Sequence, residues 1–195
     1  MKSRFIVMLI FVGYAVLSAA PAVAEERPVE LVRQEVTAVL ALLDDKSLDS
    51  ETRRQMISDR IARHFDFEDM SRSILAVNWK HATDLQRERF KALFRKILEQ
   101  KYVSAIEKRT SETVRVGGER IRGDRASVIV TIERGKASDI PLLFKLKRTT
   151  GSWRAYDANV EGLSLVQHYR DELAAIAKNQ GIDGVLRHLE AEVST

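Results

Sequence analysis

The chain is predicted to fold as an α+β domain, an antiparallel sheet of about four strands covered by helices from both ends of the chain. Three observations predict it. Apolar residues recur at three- and four-residue intervals from residue 29 to about 108 and again from 164 to 189; between 111 and 160 the period falls to two; and short glycine-bearing links join the alternating runs. Short links make antiparallel neighbours, and the order helices, meander, helices requires the sheet's apolar face to be covered from both directions.

Residues 1–24 are expected to lie outside that fold. Lys2 and Arg4 form a positive start, residues 5–17 are apolar, and Ala22-Val23-Ala24 fits a small-x-small cleavage site. The reading is a cleavable signal peptide followed by a single domain over residues 25–195. The apolar run is short for a membrane span of about 20 residues, and no Cys follows it as a lipid anchor. The whole chain has no Cys, which removes disulfides, thiol catalysis and thiolate metal sites, so stability has to come from the core.

With 45% hydrophobic residues and 3 Pro among 195, the composition is that of a globular protein. The formal charge of +4 includes Lys2 and Arg4, so residues 25–195 are nearly balanced and no nucleic acid partner is expected. Lys145-Leu146-Lys147-Arg148 is basic enough to touch lipid headgroups or an acidic partner, and reads first as a solvated strand end.

Residues 29–43 carry an amphipathic helix after Pro28. A second begins near Ser50, a capping candidate, and a third, shorter one follows Phe65 and Asp66. Thr83 caps the longest helix, whose apolar stripe includes Leu85, Phe90, Phe94, Leu98 and Tyr102; its aromatic weight is high for simple helix packing. Alternation then marks strands through Val128, Val130 and Ile132 and through Leu142, Phe144 and Leu146, after a kink at Gly117-Gly118. The Trp153 strand runs into a helix capped by Ser164, and Asn179-Gln180-Gly181 stops that helix before a last one capped by Asp183.

Little catalytic chemistry is legible. His64, His81, His168 and His188 are scattered, with no HExxH, no Asp-rich loop and no phosphate-binding glycine pattern, so neither a metal nor a cofactor is expected. Ser164, His168 and Asp157 suggest a hydrolase triad, but Glu161-Gly162-Leu163-Ser164-Leu165 lacks the second glycine of a nucleophile elbow. Asp157 and Glu161, a carboxylate pair at a strand end, support an enzyme alternative with acid and base in a cavity. Structural hydrogen bonding is the plainer role for both.

Several spaced motifs, in one order, carry a family resemblance. They are Phe65-Asp66-Phe67-Glu68-Asp69-Met70-Ser71-Arg72, the segment from Trp79 to Gln86-Arg87 and Phe90, the helix ending at Tyr102, Trp153-Arg154-Ala155-Tyr156-Asp157, Val160-Glu161-Gly162-Leu163-Ser164-Leu165-Val166, and Gly181-Ile182-Asp183-Gly184-Val185-Leu186. Together they resemble the MlaC or toluene-tolerance family. That resemblance implies a curved sheet packed on helices, with an apolar cavity between the layers that buries phospholipid acyl chains. It further implies a monomeric periplasmic carrier, not an enzyme, that moves lipid between an outer-membrane lipoprotein complex and an inner-membrane ABC transporter with its lipid-binding subunit, maintaining outer-membrane asymmetry. A related branch serves hopanoid pathways, so a hopanoid or other hydrophobic cargo is the alternative. The expected cavity wall is Met70, Leu75, Phe94, Leu98 and Tyr102 on the helices, Val130, Leu142, Phe144 and Leu146 on the sheet, and Val160, Val166 and Tyr169 at the closing junction.

Overall fold

A computed structural model describes residues 26–103, 106, 113–135 and 137–194, so the predicted leader lies outside the described residues. Helices α1 (Pro28–Asp44), α2 (Ser50–His64), α3 (Phe67–Leu75) and α4 (Asp84–Leu98) precede the sheet. Strands β1 (Thr113–Arg122), β2 (Arg125–Glu133), β3 (Ile140–Thr149), β4 (Ser152–Val160) and β5 (Leu163–Ser164) follow in sequential antiparallel order, and α5 (Leu165–Val193) closes the chain. The expected four-strand meander is present, with a two-residue fifth strand added at its edge.

Local capping chemistry explains most helix starts. Thr83 and Gln86 form a reciprocal capping box at α4, and the Ser164 hydroxyl accepts from Gln167 N at 3.1 Å at the start of α5. For α2 the cap is Asp49 rather than Ser50, because its carboxylate takes both the Glu51 and Thr52 amides. Asp66 caps α3 through Asp69 N at 2.8 Å. Burial pushes the Asp66 carboxyl up, but that amide and Lys147 outweigh it and hold the group below its usual range.

The expected stop is present: at φ 66° and ψ −168° Gly181 leaves the helical region and divides α5 into two helices across a kink, the second held by the burial of Ile182, Val185, Leu186 and Leu189. Two finer expectations change. Asp183 lies inside that second helix and accepts from Gln86 Nε2 at 2.8 Å. Leu85, placed on the apolar stripe of α4, is 79% exposed, since the first turn of that helix overhangs the core.

Two apolar cores result. One joins α3, α4 and α5 around Met70, Phe90, Phe94, Tyr169 and Leu173; the other sandwiches Val29, Leu31 and Val32 of α1 against Val128, Val130, Leu146 and Trp153 of the sheet. Phe144 packs against both. The β1 bulge between Val116 and Glu119 falls at the predicted glycine kink and delivers Glu119 to the start of α1, where its carboxylate accepts from Val29 N at 2.9 Å and pairs with Arg27. The free edge of β4 is covered by a parallel bridge from Phe65 to Ala155, with Asp66 N donating to Ala155 O at 2.7 Å.

Candidate functional site: an apolar cavity under the first helix

Helix α1 does not press its whole stripe onto the sheet. Beyond the packed end at Leu31 and Val32, the half-buried Val36, Val39 and Leu40 face a cavity of about 180 Å³. Its floor is Val114 of β1, Val130 and Ile132 of β2, Leu142, Phe144 and Leu146 of β3, and Ala155 of β4. Ile61 and Phe65 from the end of α2 form one side, and Ile106 adds to the wall. The side chains at i and i+2 on β2 and β3 reach one face, which explains why these two strands contribute in step.

Polar groups enter this wall at one place. Glu35 of α1 meets Arg60 Nε at 2.8 Å and His64 Nε2 at 3.3 Å, so the two helices are joined by charge at the rim of the oily space. Such a pocket offers burial without directed chemistry. Dispersion and apolar transfer are what it can supply.

Of the twelve wall residues expected from the sequence, the structure brings Val130, Leu142, Phe144 and Leu146 together in this cavity. Met70, Leu75, Phe94, Leu98, Val166 and Tyr169 are buried in the neighbouring helical core, with Tyr102 and Val160 packed against it. The aromatic weight of α4 is met by helices: Phe94 lies edge-on to Tyr169 at 5.1 Å and to Phe67 at 6.3 Å, and stacks with Phe90 at 6.1 Å. Tyr169 OH accepts from Lys101 Nζ at 3.1 Å, and burial pushes its phenol pKa up. Leu75 also borders a second hollow between the end of α3 and α5, with Val77, Leu173 and Ala177. The α1 residues were missed; their apolar stripe was legible as a helix face, but a stripe does not say whether it meets atoms or space.

The carboxylates of the enzyme alternative are separated by environment. Asp157 is 4% exposed and accepts from Lys145 Nζ at 2.8 Å, Ser164 Oγ at 2.8 Å and Val166 N at 3.2 Å, which ties β3, β4 and the start of α5 together. Glu161 is exposed in the turn after β4. Ser164 is engaged as cap and donor to Asp157, while His168 is exposed beside Glu172 at 3.5 Å. Among the described residues one further acidic and histidine group, Glu172, His188 and Glu192, lies within ligating distance, and Glu192 is already paired with Lys101.

With this geometry in view, residues 33–191 match the MlaC protein family. The chain belongs to the MlaC family. It is 23% identical over 200 residues to the intermembrane phospholipid transport system binding protein MlaC of Haemophilus influenzae, covering 98% of this chain and 94% of that protein. It is 25% identical over 167 residues to the toluene tolerance protein ttg2D of Pseudomonas putida, covering 83% and 78% respectively. Among solved structures it resembles a phospholipid-binding protein of Ralstonia solanacearum in complex with a phospholipid, with a TM-score of 0.76 at 22% identity over 85% of this chain and 96% of that one. That likeness establishes a shared fold.

Proposed function

We propose that this MlaC-family protein is a periplasmic phospholipid carrier that holds acyl chain in the space between α1 and the sheet. The family is one of lipid-binding transport components and not of enzymes. The single observation that carries the reading for this chain is the cavity itself, whose wall is apolar apart from the Glu35 and His64 rim.

The energetics fit a carrier. At about 0.8 kcal/mol per CH₂, an acyl chain of roughly fifteen methylenes costs about 12 kcal/mol to hold in water, so lipid does not cross an aqueous gap unescorted. Exchange between bilayer and cavity is an oil-to-oil transfer and sets no direction. Direction belongs to the partners, for which the membership in an ABC lipid-transport system supports an inner-membrane transporter at one end and an outer-membrane lipoprotein complex at the other. The leader read in residues 1–24 would deliver the domain of residues 25–195 to the periplasm.

Val130, Leu142, Phe144 and Leu146 are the proposed lipid contacts from the sequence set. Met70, Leu75, Phe94, Leu98, Tyr102, Val160, Val166 and Tyr169 form the wall behind Phe144, which touches both cores. A cavity of about 180 Å³ is near the size that accepts one benzene-sized group, so a phospholipid requires α1 to lift or Phe144 to turn. The test is uptake of a fluorescent phospholipid from donor vesicles into the purified mature protein, with and without excess unlabelled hopanoid. Saturable uptake at one lipid per chain supports the reading; no uptake, or complete displacement by hopanoid alone, contradicts it.

A further inference from the structure

The face of the sheet turned away from the cavity carries a row of cations. Arg122 stands opposite Arg125, Arg125 opposite Lys147, and Lys147 opposite Arg154, so one basic residue from each of β1, β2, β3 and β4 lies in a single line across the strands. At about 4.8 Å per strand the line is about 14 Å long. The next line holds Arg120, Ser127, Lys145 and Asp157, and the one after it Ile129, Leu143 and Asn159.

Like charges directly opposite one another disfavour strand pairing, so this arrangement is not explained by the fold. Part of it is neutralised internally. Lys147 pairs with Asp66 at 3.1 Å and Asp69 at 2.7 Å, Lys145 pairs with Asp157 at 2.8 Å, Arg154 donates to Arg63 O, and Arg125 lies over the Tyr156 ring. Arg120 and Arg122 are exposed and have no ion-pair partner among the described residues; Asp124, in the turn beside them, is the nearest acidic residue in sequence on their C-terminal side. Ile129, 48% exposed, adds an apolar side chain on the same face.

We propose that this face docks the protein on an anionic phospholipid surface. Guanidinium groups fork onto phosphate oxygens, and a line of cations across four strands matches a row of headgroups better than it matches one small anion. Side chains alternate along β2 and β3, so Val130, Leu142 and Leu146 face the cavity while Ile129, Leu143 and Lys147 face out. Docking by this face therefore leaves α1 and the cavity unobstructed. The attraction is electrostatic and reversible, and it weakens within a Debye length of about 10 Å and with added salt.

The test is sedimentation of the mature protein with vesicles of phosphatidylcholine doped with phosphatidylglycerol, against vesicles of phosphatidylcholine alone. Binding to the anionic vesicles alone, reversed by high salt and weakened by about tenfold or more in Arg120→Glu with Arg122→Glu, is the expected result. Lys46→Glu, a charge reversal in the turn between α1 and α2, should leave it unchanged. No binding to anionic vesicles overturns the inference, as does equal weakening by the Lys46 variant or selective capture of an acidic protein in place of vesicles. Lipid loading of each protein is measured by extraction beforehand, so a failure to dock on a loaded carrier is distinguished from a failure to carry lipid.

Discussion

Asp157 shows how one buried side chain organises the junction where strand becomes helix. Its two carboxylate oxygens receive a lysine, a serine hydroxyl and a backbone amide, all contributed by elements that must meet for α5 to close the helical core. Removing the carboxylate leaves the Val166 amide and Lys145 without their partner. Asp157→Ala is therefore expected to cost about 2 to 3 kcal/mol, discounted because Lys145 is partly solvated and can rehydrate. Calorimetric melting reads that loss. Asp157→Asn should melt early too yet still take up lipid, because the residue holds backbone rather than moving protons; loss of uptake in a fully folded Asn variant would contradict this role. The residue was legible in the sequence as a strand-end carboxylate, and its partnership with Ser164 was not, since the hydroxyl reaches back across the turn at Glu161 and Gly162 only once that turn has formed.

At the scale of elements, α1 differs from the other helices in what its apolar face touches. Its first turn is fastened by Glu119 and packed at Leu31 and Val32, while Val36, Val39 and Leu40 border empty volume and forgo the dispersion contacts a filled core supplies. Local opening should therefore be easiest here. Amide exchange of α1 is predicted to be faster than that of α3 and α5 in the lipid-free protein, and to slow on loading because cargo supplies the apolar contacts that its stripe lacks. Equal protection of α1 and α5 without lipid would contradict the prediction. Periodicity placed nearly every helix and strand, because burial of one face leaves a period in the sequence whatever covers it. It found the break at Gly181, where the backbone leaves the helical region, but it could not separate the packed stripe of α4 from the unpacked stripe of α1.

The molecule as a whole divides its work between two cores. The helical core of α3, α4 and α5 is densely apolar and contains the aromatic cluster, so in the proposed carrier it is the part that stays fixed while the α1 layer opens. With no disulfide available, that division is carried by packing alone. Four of the expected wall residues, all on β2 and β3, face one space because the strand period of two assigns a face, whereas the seven on helices depended on knowing which layer faces which. The central claim is that the space under α1 is the lipid site. Native mass spectrometry with solvent extraction, on detergent-free wild type, Phe144→Asp and Ile132→Asp, tests it most directly; Phe144 packs against both cores whereas Ile132 lines the cavity and belongs to neither, so a charge at Ile132 disturbs the fold less. A stoichiometric phospholipid on the wild type and none on either folded variant is predicted. A bare wild-type protein, or lipid retained by a folded variant, would contradict the account.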